Sequence, residues 1–371
     1  MIGSFGLSYY ESYMKRAIEL AEKGRGSTSP NPMVGALILR GDKVIAEGYH
    51  EKAGEPHAEI NALNSATDDV HGATMVVSLE PCNHYGKTPP CTEAIIKAGI
   101  SRVVVGMIDP NPKTAGSGIK RLRDAGIKVE YGLLSEQVAK QNEVFIKYIT
   151  TNKPFVTVKA AISLDGKIAE APDTTTAITG EAARVSVHEL RNESDVIMVG
   201  IRTVLADDPL LTTRLNREGT KNPVRVILDS EARLPLYSKI ANTASEIKTI
   251  VATTTAAPKK NIQNLESRGI EVLGIDSWNG KVDIEALLDE LASRELSSVL
   301  VEGGGKLIGS FVKAGLVDRF LIFIAPKIIG EQGVDFVGNS LDLTRELKVR
   351  YVGKIGEDIF IQAYPKSETR D

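Results

Sequence analysis

The only two cysteines of the chain, Cys82 and Cys91, lie in one short stretch, and the segment His57-Ala58-Glu59 precedes them. One neutral imidazole and two thiolates can fill three positions of a Zn²⁺ tetrahedron, which leaves the fourth position for water. Zinc lowers the pKa of a bound water from about 15.7 to roughly 7. These residue types therefore predict a site that activates water at neutral pH.

The order H-x-E, then P-C, then a further cysteine is the pattern of zinc-dependent deaminases. In that pattern Glu59 is not a ligand but carries protons from the attacking water to the departing amine. There are three alternatives: a disulfide, two buried cysteines without a metal, and a structural zinc that takes His84 as a fourth protein ligand. Residues 1–6 lack the charged and apolar segments of a secretory signal, so we expect a cytoplasmic, reduced protein and a catalytic zinc.

Composition bounds the remaining function classes. A length of 371 residues suggests about two domains, each large enough for its own core. The net charge of −3 provides no basic field that would recruit nucleic acid. No run approaches the ~18 apolar residues that span a membrane. We expect neither a nucleic-acid partner nor a membrane partner.

Apolar runs alternate with amphipathic stretches throughout, which predicts an α/β fold. The spacing predicts one helix over residues 135–150, and Pro154 with the residues before it ends that helix. We therefore divide the chain into domains 1–150 and 151–371, with a new strand starting at residue 155.

The eight residues between Cys82 and Cys91 depart from the P-C-x-x-C spacing of most zinc deaminases. Together with other stretches, this spacing resembles the riboflavin-biosynthesis bifunctional deaminase/reductase family of the RibD type, over nearly the whole chain. The stretches that carry the resemblance are NPMVG (31–35), PCNHYGKTPPC (81–91), DPNP (109–112), SLDG (163–166), LADDPLLT (205–212) and VEGGG (301–305).

The resemblance implies a cytidine-deaminase-like α/β/α domain followed by a dihydrofolate-reductase-like α/β domain. It also implies two consecutive reactions. The first is zinc-dependent deamination of 2,5-diamino-6-(5-phosphoribosylamino)pyrimidin-4(3H)-one. The second is NADPH-dependent reduction of 5-amino-6-(5-phosphoribosylamino)uracil to the ribityl product.

In the first domain, the resemblance implies that His57, Cys82 and Cys91 are the zinc ligands and that Glu59 is the proton carrier. The residues that match substrate-holding positions are Asn31, His50, Lys87 and Asn111. Lys87 suits a phosphate as a mobile point charge. Without the resemblance, His50 could equally be a surface residue, a solvated loop lysine is the favoured interpretation of Lys87, and the two asparagines could be turn residues.

In the second domain, the resemblance implies that Lys159, Asp207 and Glu302 lie near the reacting centre. The residues that match substrate positions are Thr175, Arg191, Leu211, Arg214 and Glu302. Three alternatives stay open: Lys159 on a strand could face solvent, Arg191 could lie on a solvated helix face, and Asp207 could only turn the chain.

The chain has no G-x-G-x-x-G after a first strand, so a Rossmann cofactor site is unsupported. Instead, a triple glycine after a strand opens a helix, where backbone N–H groups can approach a phosphate. A bare turn is the alternative, and the resemblance implies the pyrophosphate of NADPH. The residues that match cofactor positions are Ala161, Ala177, Thr203, Asp207, Ser230, Gly304, Gly305, Lys306, Leu307, Ile308, Gly309 and Ser310. Ala177 stands where many relatives have Trp.

Two other functions compete with the bifunctional enzyme. One is a deaminase with an inactive reductase domain, which the retained Lys159, Asp207 and Glu302 disfavour. The other is a zinc-stabilised binding module, which has no need of Glu59. The resemblance further implies a homo-oligomer, a dimer or larger, that acts on small phosphoribosylaminopyrimidine substrates.

Overall fold

We analysed a computed structural model, which describes residues 7–85, 89–112, 114–175, 177–338 and 344–366. The chain divides into two compact units, Met1–Lys153 and Pro154–Asp371. Among the described residues, no helix is both long enough and apolar enough to cross a bilayer.

The first unit contains five strands and six helices among its described residues. The strands are β1 (Gly35–Arg40), β2 (Lys43–Tyr49), β3 (Thr74–Leu79), β4 (Arg102–Met107) and β5 (Lys128–Tyr131). The helices are α1 (Glu11–Ala21), α2 (Ala58–Ser65), α3 (Cys91–Lys97), α4 (Ser117–Asp124), α5 (Ser135–Gln141) and α6 (Glu143–Thr151), with short 3₁₀ turns at Ser8–Tyr10 and Glu22–Gly24.

The five strands form one sheet in the order β2-β1-β3-β4-β5. β1 is antiparallel to both of its neighbours, whereas β3, β4 and β5 are parallel. Alternate side chains of each strand point to opposite faces. Leu37 and Leu39 therefore pack against α1, while Ala36 and Ile38 join the core beneath α2, α3 and α4. The predicted α/β/α arrangement is confirmed.

The helix predicted over residues 135–150 is interrupted. α5 and α6 are separated by Asn142, whose φ of −105° lies outside the helical range. The side chain of Asn142 accepts from the Met33 amide at 2.8 Å and donates to the Met33 carbonyl at 3.0 Å. This contact joins two residues that are far apart in the sequence, so the helical periodicity of the segment could not reveal it.

The second unit contains thirteen strands among its described residues. The strands are β6 (Phe155–Ser163), β7 (Lys167–Ala169), β8 (Val196–Gly200), β9 (Val224–Leu228), β10 (Thr249–Thr253), β11 (Glu271–Gly274), β12 (Ser277–Trp278), β13 (Lys281–Val282), β14 (Ser298–Val301), β15 (Arg319–Ala325), β16 (Val334–Asp335), β17 (Leu347–Ile355) and β18 (Asp358–Pro365). Its helices are α7 (Glu181–Glu193), α8 (Ile201–Asp207), α9 (Lys239–Asn242), α10 (Lys259–Glu266), α11 (Ile284–Ser293) and α12 (Gly305–Lys313).

Nine of these strands form one sheet in the order β11-β10-β9-β8-β14-β6-β15-β18-β17. The pairs from β11 to β15 are parallel, and β18 and β17 close one edge as antiparallel strands. Apolar clusters cover both faces, as a parallel sheet requires. Because the carboxyl ends of parallel strands meet at one edge, residues that follow β8 and β14 lie close together.

Candidate active sites

Three ligand atoms converge at one edge of the first sheet. His57 caps the N-terminus of α2, Cys91 is the first residue of α3, and Cys82 follows β3. The Nδ1 atom of His57 lies 3.3 Å from the Cys91 sulfur and 3.5 Å from the Cys82 sulfur, and all three ligand atoms lie within 4.8 Å of one another. Both cysteines are free, which excludes the disulfide.

This geometry fits a tetrahedral zinc. Bonds of about 2.0–2.3 Å to nitrogen and sulfur give a tetrahedron whose edges are roughly 3.5–3.8 Å. The donor set of one imidazole and two sulfurs is the one that zinc deaminases use. His84 is exposed and lies outside the cluster found among the described residues, so nothing there supplies a fourth protein ligand.

The local charges favour a thiolate. The pKa of Cys82 is lowered because the Cys91 thiol and then His57 hydrogen-bond to its sulfur. The Cys91 amide, at the start of α3, also donates to that sulfur at 3.3 Å. A negative sulfur at the positive end of a helix is stabilised.

Glu59 lies in the first turn of α2 and its carboxyl group is buried beside the ligand cluster. Burial, followed by the negative charge on Cys82, raises the pKa of Glu59 to about 7. A carboxyl group with a pKa near neutral can both accept and release a proton, which suits a general acid–base residue.

His50 and Asn31 sit next to the ligand cluster. His50 is only 2% exposed, so its interpretation as a surface residue is wrong. Its ring packs edge-on against the His57 ring with centroids 5.4 Å apart. Nδ1 of His50 donates to the Pro56 carbonyl at 3.2 Å, which leaves Nε2 to accept from the Asn31 amide at 3.5 Å. Burial lowers the pKa of His50 and favours this neutral ring.

Of the other two predicted substrate residues of this domain, Asn111 lies among the described residues. Asn111 follows β4, and its backbone N–H donates to the Asp109 carboxylate at 2.9 Å. Lys87 lies outside the described residues.

The second unit holds a buried cluster of three charged side chains. Arg191, on α7, makes a bidentate contact to the Glu302 carboxylate at 2.8 and 2.9 Å. Lys159, on β6, lies 3.8 Å from the same carboxylate. The side chains of Glu302, Arg191 and Lys159 are only 6%, 13% and 14% exposed, so the solvated alternatives for Lys159 and Arg191 are wrong.

The charged groups within this cluster shift one another's pKa. Burial by itself would raise the pKa of Glu302, but the charges of Arg191 and Lys159 outweigh burial and lower it. Burial lowers the pKa of Lys159 despite the nearby carboxylate. A lysine with a lowered pKa gives up a proton more readily than an ordinary one.

A loop between α8 and β9 is fixed against α7. Its Thr212 carbonyl accepts from Arg191 Nη1 at 3.1 Å and lies 3.2 Å from His188 Nδ1. Leu211 before it is buried with a φ of +54°, and Arg214 after it is exposed and donates to the Thr212 hydroxyl at 2.9 Å. Sequence reasoning missed His188, although it precedes Arg191 by three positions on one helix face.

Two side-chain contacts connect α8 with a predicted substrate residue, Thr175, and a predicted cofactor residue, Gly304. Thr175 donates to the Asp207 carboxylate at 3.0 Å, and the Thr203 hydroxyl accepts from the Gly304 amide at 3.0 Å. Gly305, which opens α12, has no room for a side chain, because a Cβ there would lie 2.2 Å from the Asp335 carbonyl oxygen. Packing thus requires a glycine at position 305, where the helix begins.

The remaining cofactor candidates differ in their surroundings. Ala161 lies two residues after Lys159 and therefore on the same face of β6. Ser230 accepts from the Val282 amide at 3.3 Å, and Ala177 is exposed. Ile308 is 1% exposed and packs in the core, and the hydroxyl of Ser310 donates to the Lys306 carbonyl. Leu307 and Gly309 lie on the same helix.

Comparison with known proteins decides the family. Residues 154–361 match the family of the RibD C-terminal domain, and residues 7–107 match the zinc-binding region of cytidine and deoxycytidylate deaminases. The chain is 43% identical over 353 residues to the riboflavin biosynthesis protein RibD of Aquifex aeolicus, which covers 95% of this chain and 97% of that protein. The chain belongs to the RibD family.

Solved structures agree with this family membership. The Acinetobacter baumannii RibD structure is 38% identical with a TM-score of 0.88, covering 97% of this chain and 100% of that one. A Thermotoga maritima structure is 39% identical with a TM-score of 0.85, covering 97% and 99%; its description is diaminohydroxyphosphoribosylaminopyrimidine deaminase/5-amino-6-(5-phosphoribosylamino)uracil reductase. The chain is thus a bifunctional deaminase and reductase of riboflavin biosynthesis, which disfavours the binding module.

The buried cluster in the RibD reductase domain predicts a pH-dependent stability. We expect Glu302→Gln to lower the free energy of unfolding by about 3–5 kcal/mol at neutral pH, because Arg191 and Lys159 lose their buried counter-charge. The pKa of Glu302 lies below its ordinary value of 4.5, so its contribution is complete above pH 4.5 and is lost as the pH falls through the lowered value.

Thermal unfolding of wild type and variant across pH 3–8 measures this contribution. The difference between their midpoints should be constant above about pH 4.5 and shrink below it. Glu266→Gln, at an exposed position of the same domain, is the control and should change little. A difference that grows on acidification would contradict the lowered pKa.

Proposed function

We propose that the first domain hydrolyses the 2-amino group of 2,5-diamino-6-(5-phosphoribosylamino)pyrimidin-4(3H)-one. We further propose that the second domain reduces the ribosyl chain of 5-amino-6-(5-phosphoribosylamino)uracil to ribityl with NADPH. The observation that carries this proposal is the convergence of His57, Cys82 and Cys91 beside the buried carboxyl group of Glu59. These are the two activities in the description of the Thermotoga maritima relative.

In the deaminase, His57, Cys82 and Cys91 would hold a zinc ion. When bound, the ion would act as a Lewis acid and lower the pKa of its bound water enough for that water to react at neutral pH. Glu59 takes one proton from the attacking water and delivers it to the amino group, which leaves as ammonia while the ring carbon gains oxygen. The raised pKa of Glu59 matches a residue that holds this proton between the two transfers.

The substrate is held by neutral polar groups near the ligands. Asn31 and the neutral ring of His50 form a hydrogen-bonded pair that can form hydrogen bonds with the polar edge of a pyrimidine. We assign Asn111 to the same ring and Lys87 to the phosphate, as the family pattern implies.

Glu59→Gln tests the deaminase assignment. We expect the variant to keep about one zinc per chain, because the ligands are untouched. It should release ammonia some 10²–10⁴-fold more slowly, because an amide cannot carry the proton. Ammonia release and elemental zinc analysis are the measurements, and NADPH oxidation with the already deaminated substrate is the control. Normal ammonia release in the variant would remove Glu59 from the mechanism, and full activity without zinc would exclude the metal.

In the reductase, Lys159 and Glu302 would lie at the reacting carbon of the sugar, and the exposed Arg214 would bind the substrate phosphate as a planar fork. Arg191, whose guanidinium holds the Glu302 carboxylate, would contact the substrate next to that carboxylate. The cofactor supplies the hydride. Lys159, whose pKa is lowered, can supply the matching proton to the sugar oxygen or nitrogen. Asp207 would contact both ligands, and Thr175 and Leu211 the substrate.

The cofactor would lie along the start of α12. Among the described residues, the N–H groups of Gly305 and Lys306 have no protein acceptor, and such groups at a helix N-terminus bind phosphate. We assign Ala161, Thr203, Ser230 and residues 304–310 to NADPH, with Ile308 contributing backbone only. Ala177 would leave one side of the cofactor without the aromatic surface that many relatives have.

Lys159→Met tests the reductase assignment. Methionine keeps the unbranched shape and most of the length of the lysine side chain, and Arg191 still neutralises Glu302, so we expect the domain to remain folded. NADPH oxidation with the deaminated substrate should fall about 10²-fold or more, because the proton donor is missing. Ammonia release from the diaminopyrimidine should stay unchanged and serves as the internal control. Oxidation of NADH with NADPH inert would overturn the cofactor assignment.

We also propose that the protein is a cytoplasmic homo-oligomer. Its thiols are free, which suits a reducing compartment. The edge strand β17 exposes Val349, Tyr351 and Val352 by 54%, 54% and 59%, which is unusual for a strand nine residues long. A second copy of the chain would cover this apolar strand.

The native mass tests this proposal. We expect light scattering to give a multiple of the 40.0 kDa chain mass, and Val349→Lys with Val352→Lys to shift it toward one chain. Tyr237→Lys is the control, because Tyr237 is 84% exposed elsewhere on the domain. A wild-type mass of one chain at micromolar concentration would contradict the proposal.

A further inference from the structure

Glu80 is a buried carboxylate next to the zinc ligands that has no assigned role in the reaction. It follows β3 directly and precedes Pro81 and Cys82. Its exposed fraction is only 6%, and no basic side chain forms an ion pair with it among the described residues. A buried carboxylate needs several hydrogen bonds to offset the loss of water. Glu80 obtains them from backbone N–H groups.

Both oxygens of Glu80 accept from the segment that follows β4. Oε2 accepts from the amides of Asp109 and Gly116, each at 3.0 Å. Oε1 accepts from the amides of Gly118 at 2.9 Å and Ile119 at 3.1 Å. The last two amides lie in the first turn of α4, where N–H groups lack partners within the helix and favour a negative charge.

The close approach of Gly118 is a second observation that joins the same two segments. A Cβ atom at this position would lie 2.0 Å from the Pro81 carbonyl oxygen and 3.2 Å from Oε1 of Glu80. The start of α4 therefore lies directly against the peptide that leads into Cys82. Its distance from that peptide is determined by contact as well as by hydrogen bonds.

The segment that Glu80 holds also carries Asn111. The Asp109 carboxylate accepts from the backbone N–H of Asn111 at 2.9 Å and from the Thr114 hydroxyl at 2.8 Å. Asp109, the first residue of the turn around Asn111, therefore holds that turn by hydrogen bonds. Glu80 binds the amides at both ends of this turn, at Asp109 and Gly116. The Glu80 carboxylate therefore contributes four hydrogen bonds to the position of Asn111 relative to the Cys82 loop.

We infer that Glu80 is a positioning residue of the deaminase, which places Asn111 against the pyrimidine substrate by holding residues 109–112 and 114–119. This inference rests on the proposed substrate contact of Asn111. Glu80 touches neither substrate nor the reacting atoms. Its effect is transmitted through the four amides that it binds.

Glu80→Gln tests the inference in the full-length enzyme. The amide group replaces one acceptor oxygen and directs N–H donors at two backbone N–H groups, so two of the four hydrogen bonds are lost. We expect hydrogen exchange at the amides of residues 109–119 to become faster. We also expect KM for the diaminopyrimidine to rise on the order of ten- to a hundredfold, with little change in kcat or zinc content.

Glu93→Gln is the matched control. Glu93 joins α3 to the Arg121 side chain of α4 by an ion pair at 2.7 Å, but both side chains are about two-fifths exposed (42% and 37%). This variant should leave exchange at residues 109–119 and KM close to wild type. Reductase turnover in both variants reports that the rest of the protein is folded.

Asn111→Ala and the double variant separate the inference from the proposed function. If Glu80 acts through Asn111, Glu80→Gln should raise KM little further in the Asn111→Ala background. Additive effects, a loss of zinc, or unchanged exchange at residues 109–119 in Glu80→Gln would overturn the role of Glu80. An unchanged KM in Asn111→Ala alone would instead refute the substrate contact of Asn111.

Discussion

The deaminase depends on keeping three ligand atoms together without letting the two sulfurs bond to each other. Each atom comes from a different element: the N-cap of α2, the loop after β3 and the first residue of α3. The sheet and the helices packed on it position these elements. Gly48 illustrates how tight this packing is, because a Cβ there would lie 2.2 Å from the Ala62 amide of α2.

Buried charge is the second constraint, and the two domains meet it in different ways. Among the described residues of the deaminase domain, the carboxylate of Glu80 binds backbone amides alone, two of them in the first turn of α4. In the reductase domain Glu302 is balanced by Arg191 and Lys159. Arg225 is fully buried there, and within the described part of the chain its guanidinium donates to carbonyl and hydroxyl oxygens alone. Burial lowers its pKa to about 10, which still leaves it charged at neutral pH.

The alternative in which single polar residues face solvent was wrong where tertiary contacts bury them. His50, Lys159 and Arg191 could each have been solvated, because a strand end, a strand and a helix all have solvent-facing positions. Their burial depends on which element packs over them, and this is set by residues far away in the sequence. The interruption of the helix over residues 135–150 has the same origin, since Asn142 bonds to Met33 across more than a hundred positions.

Sequence alone predicted the ligand types of the candidate metal site, the family and the alternation of strands and helices. The reason is that ligand types, glycine-rich turns and apolar periodicity are local properties of the chain. Tertiary structure decided which polar groups are paired: Glu302 with Arg191, Asn31 with His50, and Glu80 with the amides of residues 109–119. Hydrogen bonds and pKa shifts depend on distances of a few ångströms between remote segments, and only the folded chain defines those distances.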